Sequence, residues 1–355
     1  MEISRIEIAR KLKQLKSIVP PKETIGTKGV LLKGNTLIAS NIELTVTTQL
    51  DTESEETFVI PGAAIDLIEA LDCEKVTIKY EREKVVVKSK RGTSRFQTVP
   101  IGVFPDIVST FEVRKENLLF KCPGDEFAES MNKIIYASSV IEGRPIANAV
   151  NFNGKKGKKA DMVCCDGHQL ACLTDYECES DFDVIVPRAT VQKAVTLVGN
   201  EDVYIYSPET SRIVFKMGEY NVYSSLVSGK YLDYKKAIPS EFSIEFDVDR
   251  KEITGAISRA KICADSSGRT PIRLSLSDNE LIVAVNSTLS EFSETIQLED
   301  DITASLYIGF NPNLLINALK AVTEDNITLC FNSAQAPLLI KSDETLKQIV
   351  LPVRL

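Results

Sequence analysis

Three stretches decide how this 355-residue chain is built: VIPGAAIDLIEALDCEKVTIKY (59–80), VIVPRATVQKAVTLVGNEDVYIY (184–206) and IGFNPNLLINALKAVTEDNITLCF (308–331). Their prolines, Pro61, Pro187 and Pro312, lie 126 and 125 positions apart. Four residues on stand Ile65, Val191 and Ile316; seven on, Ile68, Ala194 and Leu319; ten on, Leu71, Leu197 and Val322. Apolar residues recurring at three to four mark one face of a helix. Proline suits the start of that helix, where its missing N–H costs nothing. An alternating strand follows each time, carrying Val76 and Ile78, Val203 and Ile205, Ile327 and Leu329.

The likeness extends outward. Each third opens with a second amphipathic helix, with Ile8, Leu12, Leu15 and Val19 on one face in the first. The second third offers Phe127, Met131, Ile134 and Ile135, and the last Ile253, Ile257 and Ala260. A strand pair around a polar turn comes next: VLLKGNTLIAS, MVCCDGHQLACL and IRLSLSDNELIVAVN. Each third closes on an extended, proline-containing segment. A repeat this long means tandem domains rather than a solenoid of short units. The expected fold is α+β: three tandem copies of a two-helix plus antiparallel-sheet module, spanning 1–110, 111–239 and 240–355.

Hydrophobic content of 43% and charged content of 26% are those of an ordinary globular chain. No run of about 18 apolar residues is present, so no membrane-spanning helix is expected. The charged start MEISRIEIARKLKQLK lacks the apolar core of a secretory signal, which predicts a cytoplasmic protein. Eight cysteines with no Cys-x-x-Cys read as free thiols in a reducing compartment. The net charge of -8 excludes a protein coated in basic surface, though not one with a local basic face.

The only histidine sits in VCCDGHQLACL (163–173), with Cys164, Cys165 and Cys172 close by. A zinc site would need Cys164 and Cys165 to converge, yet neighbours on a strand point to opposite faces. A Cys–His nucleophile would need a low-pKa thiolate beside its base, and His168 falls in a turn. The residues themselves favour a hairpin: Asp166-Gly167 makes the turn, and Val163, Cys165, Leu170 and Cys172 supply the sheet. A metal or thiol enzyme centred on Cys164, Cys165 and His168, or a tandem-repeat scaffold unrelated to DNA, stays as the alternative. Metal analysis separates the first and DNA retention the second.

DGHQL, VIVPR, SLVSGKYLDYKKAIP, IGFNP and the terminal LPVRL occur in that order along a tripled α+β module. In this the chain resembles the bacterial DNA polymerase III beta subunit, the replicative sliding clamp, over its whole length. The resemblance implies a DNA-clamp fold that dimerises head to tail into a ring of six domains. It implies a processivity factor rather than an enzyme, with no cofactor and no metal. The ring would encircle duplex DNA irrespective of sequence. A cleft between the second and third domains would receive short peptide motifs of the polymerase, clamp loader and repair proteins.

Matched motif by motif, the implied cleft comprises Ala147, Gly167, His168, Gln169, Leu170, Leu232, Lys236, Ala237, Asn311, Leu314, Leu338, Leu351, Pro352, Val353, Arg354 and Leu355. Leu170, Leu314, Leu338, Leu351 and Val353 would give apolar surface, while His168, Gln169, Asn311 and Arg354 would orient amides. Gln169 stands where the family often has arginine, Leu314 where an aromatic is common and Leu232 where proline is usual. The ending LPVRL replaces a methionine-rich one, which puts peptide preference in question. For DNA the resemblance implies Lys22 and Arg144 in loops. Arg10, Lys13, Lys133 and Arg250 on the repeated helices would join them, with Lys11, Lys16, Lys193, Lys251, Arg259 and Lys261 adding to a basic bore. The basic turn NGKKGKK (153–159) reads as a solvated hairpin tip. The dimer joint is expected at Phe104 of one copy and at Ile262 and Cys263 of the other, Cys263 replacing a common leucine.

Overall fold

The structure, a computed structural model, describes residues 1–19, 29–41, 43–52, 54–104, 108, 111–141, 143–209, 211–264, 270–288, 290–299 and 302–355. One order of elements, β-α-ββββ-α-βββ, runs three times along the chain. The first pass is β1 (Glu2–Ser4), α1 (Arg5–Lys16), β2 (Gly29–Lys33), β3 (Thr36–Ser40), β4 (Leu44–Gln49), β5 (Thr57–Pro61), α2 (Gly62–Ala70), β6 (Lys75–Glu81), β7 (Lys84–Ser89) and β8 (Gly92–Gln97). The second is β9 (Leu118–Cys122), α3 (Gly124–Ile134), β10 (Ala149–Gly154), β11 (Lys159–Cys165), β12 (Gln169–Glu177), β13 (Phe182–Pro187), α4 (Arg188–Leu197), β14 (Val203–Glu209), β15 (Arg212–Met217) and β16 (Tyr220–Ser225). It is followed by a single helical turn, α5 (Tyr234–Ala237). The third is β17 (Ile244–Asp249), α6 (Arg250–Cys263), β18 (Ile272–Ser277), β19 (Glu280–Asn286), β20 (Glu291–Gln297), β21 (Leu306–Phe310), α7 (Pro312–Lys320), β22 (Asn326–Phe331), β23 (Leu338–Lys341) and β24 (Leu346–Val350).

The expected helix faces are buried: Ile8, Leu12 and Leu15 of α1, Phe127, Met131 and Ile134 of α3, Ile253, Ile257 and Ala260 of α6. Side chains cap the helix starts where the sequence supplies them. Ser4 accepts from the Glu7 N–H, and Asp249 from that of Glu252 at 2.7 Å. One offset corrects the repeat alignment. Pro61 and Pro187 stand just before their helices, whereas Pro312 is the first residue of α7, behind the cap Asn311. The residues equivalent to Pro61 and Pro187 are therefore Asn311 rather than Pro312.

The chain forms two compact units, which cut across its thirds: Met1–Ala128 with Ala189–Leu226, and Glu129–Arg188 with Val227–Leu355. In the first, an eight-stranded antiparallel sheet runs β5-β2-β3-β4-β16-β15-β14-β9, beside a four-stranded sheet β1-β6-β7-β8. In the second, β13-β10-β11-β12-β24-β23-β22-β17 is matched by a four-stranded sheet β20-β19-β18-β21. Each eight-stranded sheet thus joins a half from one third of the chain to a half from the next. Val46 faces Val222 at one junction, and Leu170 faces Ile349 at the other. Helices α1 and α2 pack together in the first unit, α6 and α7 in the second.

Candidate partner-binding cleft

The stretch VCCDGHQLACL (163–173) folds as a hairpin between β11 and β12. The Asp166 carboxylate accepts from the N–H groups of His168 at 2.7 Å and Gln169 at 3.0 Å, and Gly167 takes a φ of +95° that a side chain would resist. His168 is left exposed at the tip. The thiols lie along the sheet rather than around a point. Cys164 pairs with Ala171, and Cys165 pairs with Leu170 on the opposite face. Burial raises the Cys164 and Cys165 thiols and pushes Cys172 up to about 12, the reverse of what a thiolate nucleophile needs. Among the described residues no three metal-ligating side chains gather.

On the face that Leu170 shares with Ile349 and Leu339, an apolar cluster collects Val163, Cys172, Tyr231 and Tyr234. Ile146, Cys165 and Ala237 pack on its margin. Two tyrosines bolt the segment after β16 to this sheet. Tyr231 donates to the Val163 carbonyl at 3.3 Å, and Tyr234 to the Asp161 carboxylate at 2.5 Å. Burial and the facing carboxylate push the Tyr234 hydroxyl far above its ordinary value, so it stays a donor. That anchoring leaves Leu232 46% exposed and holds Lys236 in solvent, ion-paired with Asp233 at 2.9 Å.

The end of the chain adds another wall. The Leu351 N–H donates to the His168 carbonyl at 2.9 Å and that of Val353 to Gly309 at 2.8 Å, so the tail links the hairpin tip to β21. Leu355 lies against Gly309, where a β-carbon would come within 2.6 Å of it. Leu351, Val353, Arg354 and Leu355 stay exposed, Ala147, Leu314 and Pro352 half-buried. Asn311 spends its side chain on capping α7, accepting from the Asn313 N–H at 2.9 Å.

Several expected residues stand elsewhere. Gln169 is turned to the face opposite Leu170, where its amide donates to Asp166 and to the Tyr136 carbonyl and is committed to bracing the turn. Leu338 pairs with Val350 on that same far face and is buried, so Leu339 and Ile349 are the residues that share Leu170's wall. Phe104 is buried in its own unit against Leu31, Ile38 and Val59, whereas Ile262 is 82% exposed. The carbonyl of half-buried Cys263 accepts from Ser287 and Ser290. Lys11 is buried with its ammonium on the Gln49 carbonyl and cannot serve a bore. Arg10 pairs with Glu219 at 2.7 Å, Lys133 with Glu129 at 2.8 Å, and Arg250 donates to the Thr323 and Glu324 carbonyls. Lys13 and Arg144 are exposed, and Lys22 lies outside the described residues.

Comparison with known proteins agrees with this architecture. A family model described as the DNA polymerase III beta subunit central domain matches residues 121–233, and one for its C-terminal domain matches 235–354. A beta sliding clamp of Streptococcus pneumoniae is 25% identical, with 99% of this chain and 97% of the relative covered. The DNA polymerase III subunit beta of Pseudomonas aeruginosa superposes with a TM-score of 0.91 at 24% identity over the whole of both chains. The polymerase sliding clamp of Bacillus subtilis gives 0.91 at 22% identity, covering 100% of this chain and 98% of that one. With two consecutive domain models of one family accounting for 121–354 apart from a single position, the chain belongs to the DNA polymerase III beta subunit family, the bacterial sliding clamps.

Proposed function

We propose that two copies of this chain, each of three clamp domains (1–110, 111–239 and 240–355), close into a ring around duplex DNA in the cytoplasm. The ring holds a polymerase, and in turn loader and repair proteins, by short peptides laid in the cleft. One observation carries the reading. The two four-stranded sheets are complementary remainders of the pattern that makes the eight-stranded ones. Setting β20 of one copy beside β8 of another yields β21-β18-β19-β20-β8-β7-β6-β1, the order already used at both internal junctions. Such a joint is heterologous, so it must close on itself to make a ring.

DNA would meet the helices. The exposed ion pair of Arg10 is weak enough for a phosphate to replace its carboxylate, and contacts to phosphate carry no sequence information, which permits sliding. Native mass and DNA retention test the proposal together. The expected mass is about twice 39.2 kDa, with retention on circular DNA and loss on linearisation. A strict monomer, or binding indifferent to linearisation, would remove the ring.

A further inference from the structure

Three of the eleven large apolar side chains that stand exposed among the described residues, Tyr307, Val353 and Leu355, belong to the corner where the tail meets β21. There a groove of about 550 Å³ is lined by Tyr307 to Gly309 on one side and Pro352 to Leu355 on another, with Ala334 and Gln335 beside them. Among the described residues β21 is the last strand of its sheet and pairs only with β18, apart from the single bridge between Gly309 and Val353. Since the Gly309 carbonyl points outward to Val353, the N–H and C=O of Tyr307, two residues back, also point outward.

The same strand is a sheet edge in each third of the chain, and each is bridged at the same place. The Val59 carbonyl accepts from Thr98, that of Ile185 from Val227, and that of Gly309 from Val353. Two residues earlier the first two edges carry Thr57 and Asp183, the latter accepting from Asn151 at 2.8 Å. A charged residue such as Asp183 discourages strand addition to an edge. The third edge has Tyr307 instead, 53% exposed.

We propose that the β21 edge is a second docking track. It takes an extended, apolar stretch of the same partner chain whose anchors lie in the cleft, adding it as a strand beside Tyr307 with a side chain packed between Tyr307 and Leu355. The proposal rests on the partner-peptide reading of the cleft, with which the groove is continuous through the tail residues. Main-chain hydrogen bonds to an open edge give affinity, and alternate side chains give selectivity.

The test uses the full-length protein and three fluorescent peptides. One is a short leucine/phenylalanine-containing peptide; the others extend it by six alternating valine and threonine residues at either end. One extension is expected to tighten binding about tenfold. Methylating alternate backbone nitrogens of that extension, or the substitution Tyr307→Asp, should erase the gain while leaving the short peptide's affinity unchanged. Slowed hydrogen exchange at the Tyr307 amide with the extended peptide alone is the accompanying signature. The track is overturned if neither extension alters affinity, or if the gain survives both methylation and Tyr307→Asp. Failure of the short peptide itself to bind would instead sink the cleft reading, and the track with it.

Discussion

Leu170 and Leu351 both belong to the cleft that the motifs imply, yet they answer to different physics. Leu170 is 3% exposed in a cluster with Tyr231, Leu339 and Ile349, while Leu351 is 37% exposed beside the hairpin tip. Truncating a buried leucine leaves a cavity, so Leu170→Ala is expected to cost about 2–5 kcal/mol in stability. Leu351→Ala should change stability by less than about 0.5 kcal/mol. It should weaken a partner peptide by about 1–3 kcal/mol if Leu351 is an anchor. Urea denaturation and peptide anisotropy on the two variants separate the roles. Equal effects on both measurements would mean that wall and core are not distinct. What the sequence hid at this scale was the choice of face. Alternation assigns Gln169 and Leu170 to opposite sides, but only the ladder to β24 says which side looks onto Tyr231. For the same reason Leu338 was legible as apolar but not as turned away, and Lys11 as basic but not as buried. A lysine on a helix reads as solvated until a carbonyl such as that of Gln49 is brought to it.

Local chemistry made the elements readable. The helices announced by the 3.6-residue pattern are all found, and the Asp166-Gly167 turn is where the residues put it. The slip of one residue in the third copy has a local cause as well. Proline alone cannot say whether it precedes a helix or opens it, and Asn311 settles this by capping α7. Asn311→Ala is therefore expected to lower stability by about 1 kcal/mol through loss of the cap. Gly167→Ala should cost about as much or more, since a φ of +95° suits no side chain. Shifts in the denaturation midpoint at unchanged slope would register both, and an unchanged midpoint for Asn311→Ala would return that residue to the cleft alone. Pairings between thirds were not legible. β4 meets β16 across more than 170 residues of chain, and no periodicity within either strand encodes its partner.

At the scale of the whole molecule, the internal junctions fix the register of the one between copies. Thr45 opposes Tyr223 and Leu170 opposes Ile349 at equivalent positions of the two eight-stranded sheets. Tracing the same ladders through the remaining sheets, by way of Arg273–Gly309, Ala284–Arg273 and Ala284–Ser293, makes Glu291 the counterpart of Thr45 and Leu170. Tracing Ile78–Val87–Ser94 makes Arg95 the counterpart of Tyr223 and Ile349. In a ring built as its own chain is built, Glu291 of one copy therefore lies directly across from Arg95 of the next, and both are exposed in the single chain. Opposite charges facing across antiparallel strands stabilise by about 0.2–1 kcal/mol and like charges oppose pairing. Glu291→Arg should thus weaken the dimer by about tenfold or more. Adding Arg95→Glu should restore it, because the pair is then merely exchanged. Light scattering over a dilution series reads this directly. If the double variant dissociates as readily as the single one, the copies do not meet in the register of the internal junctions, whatever the ring's outline.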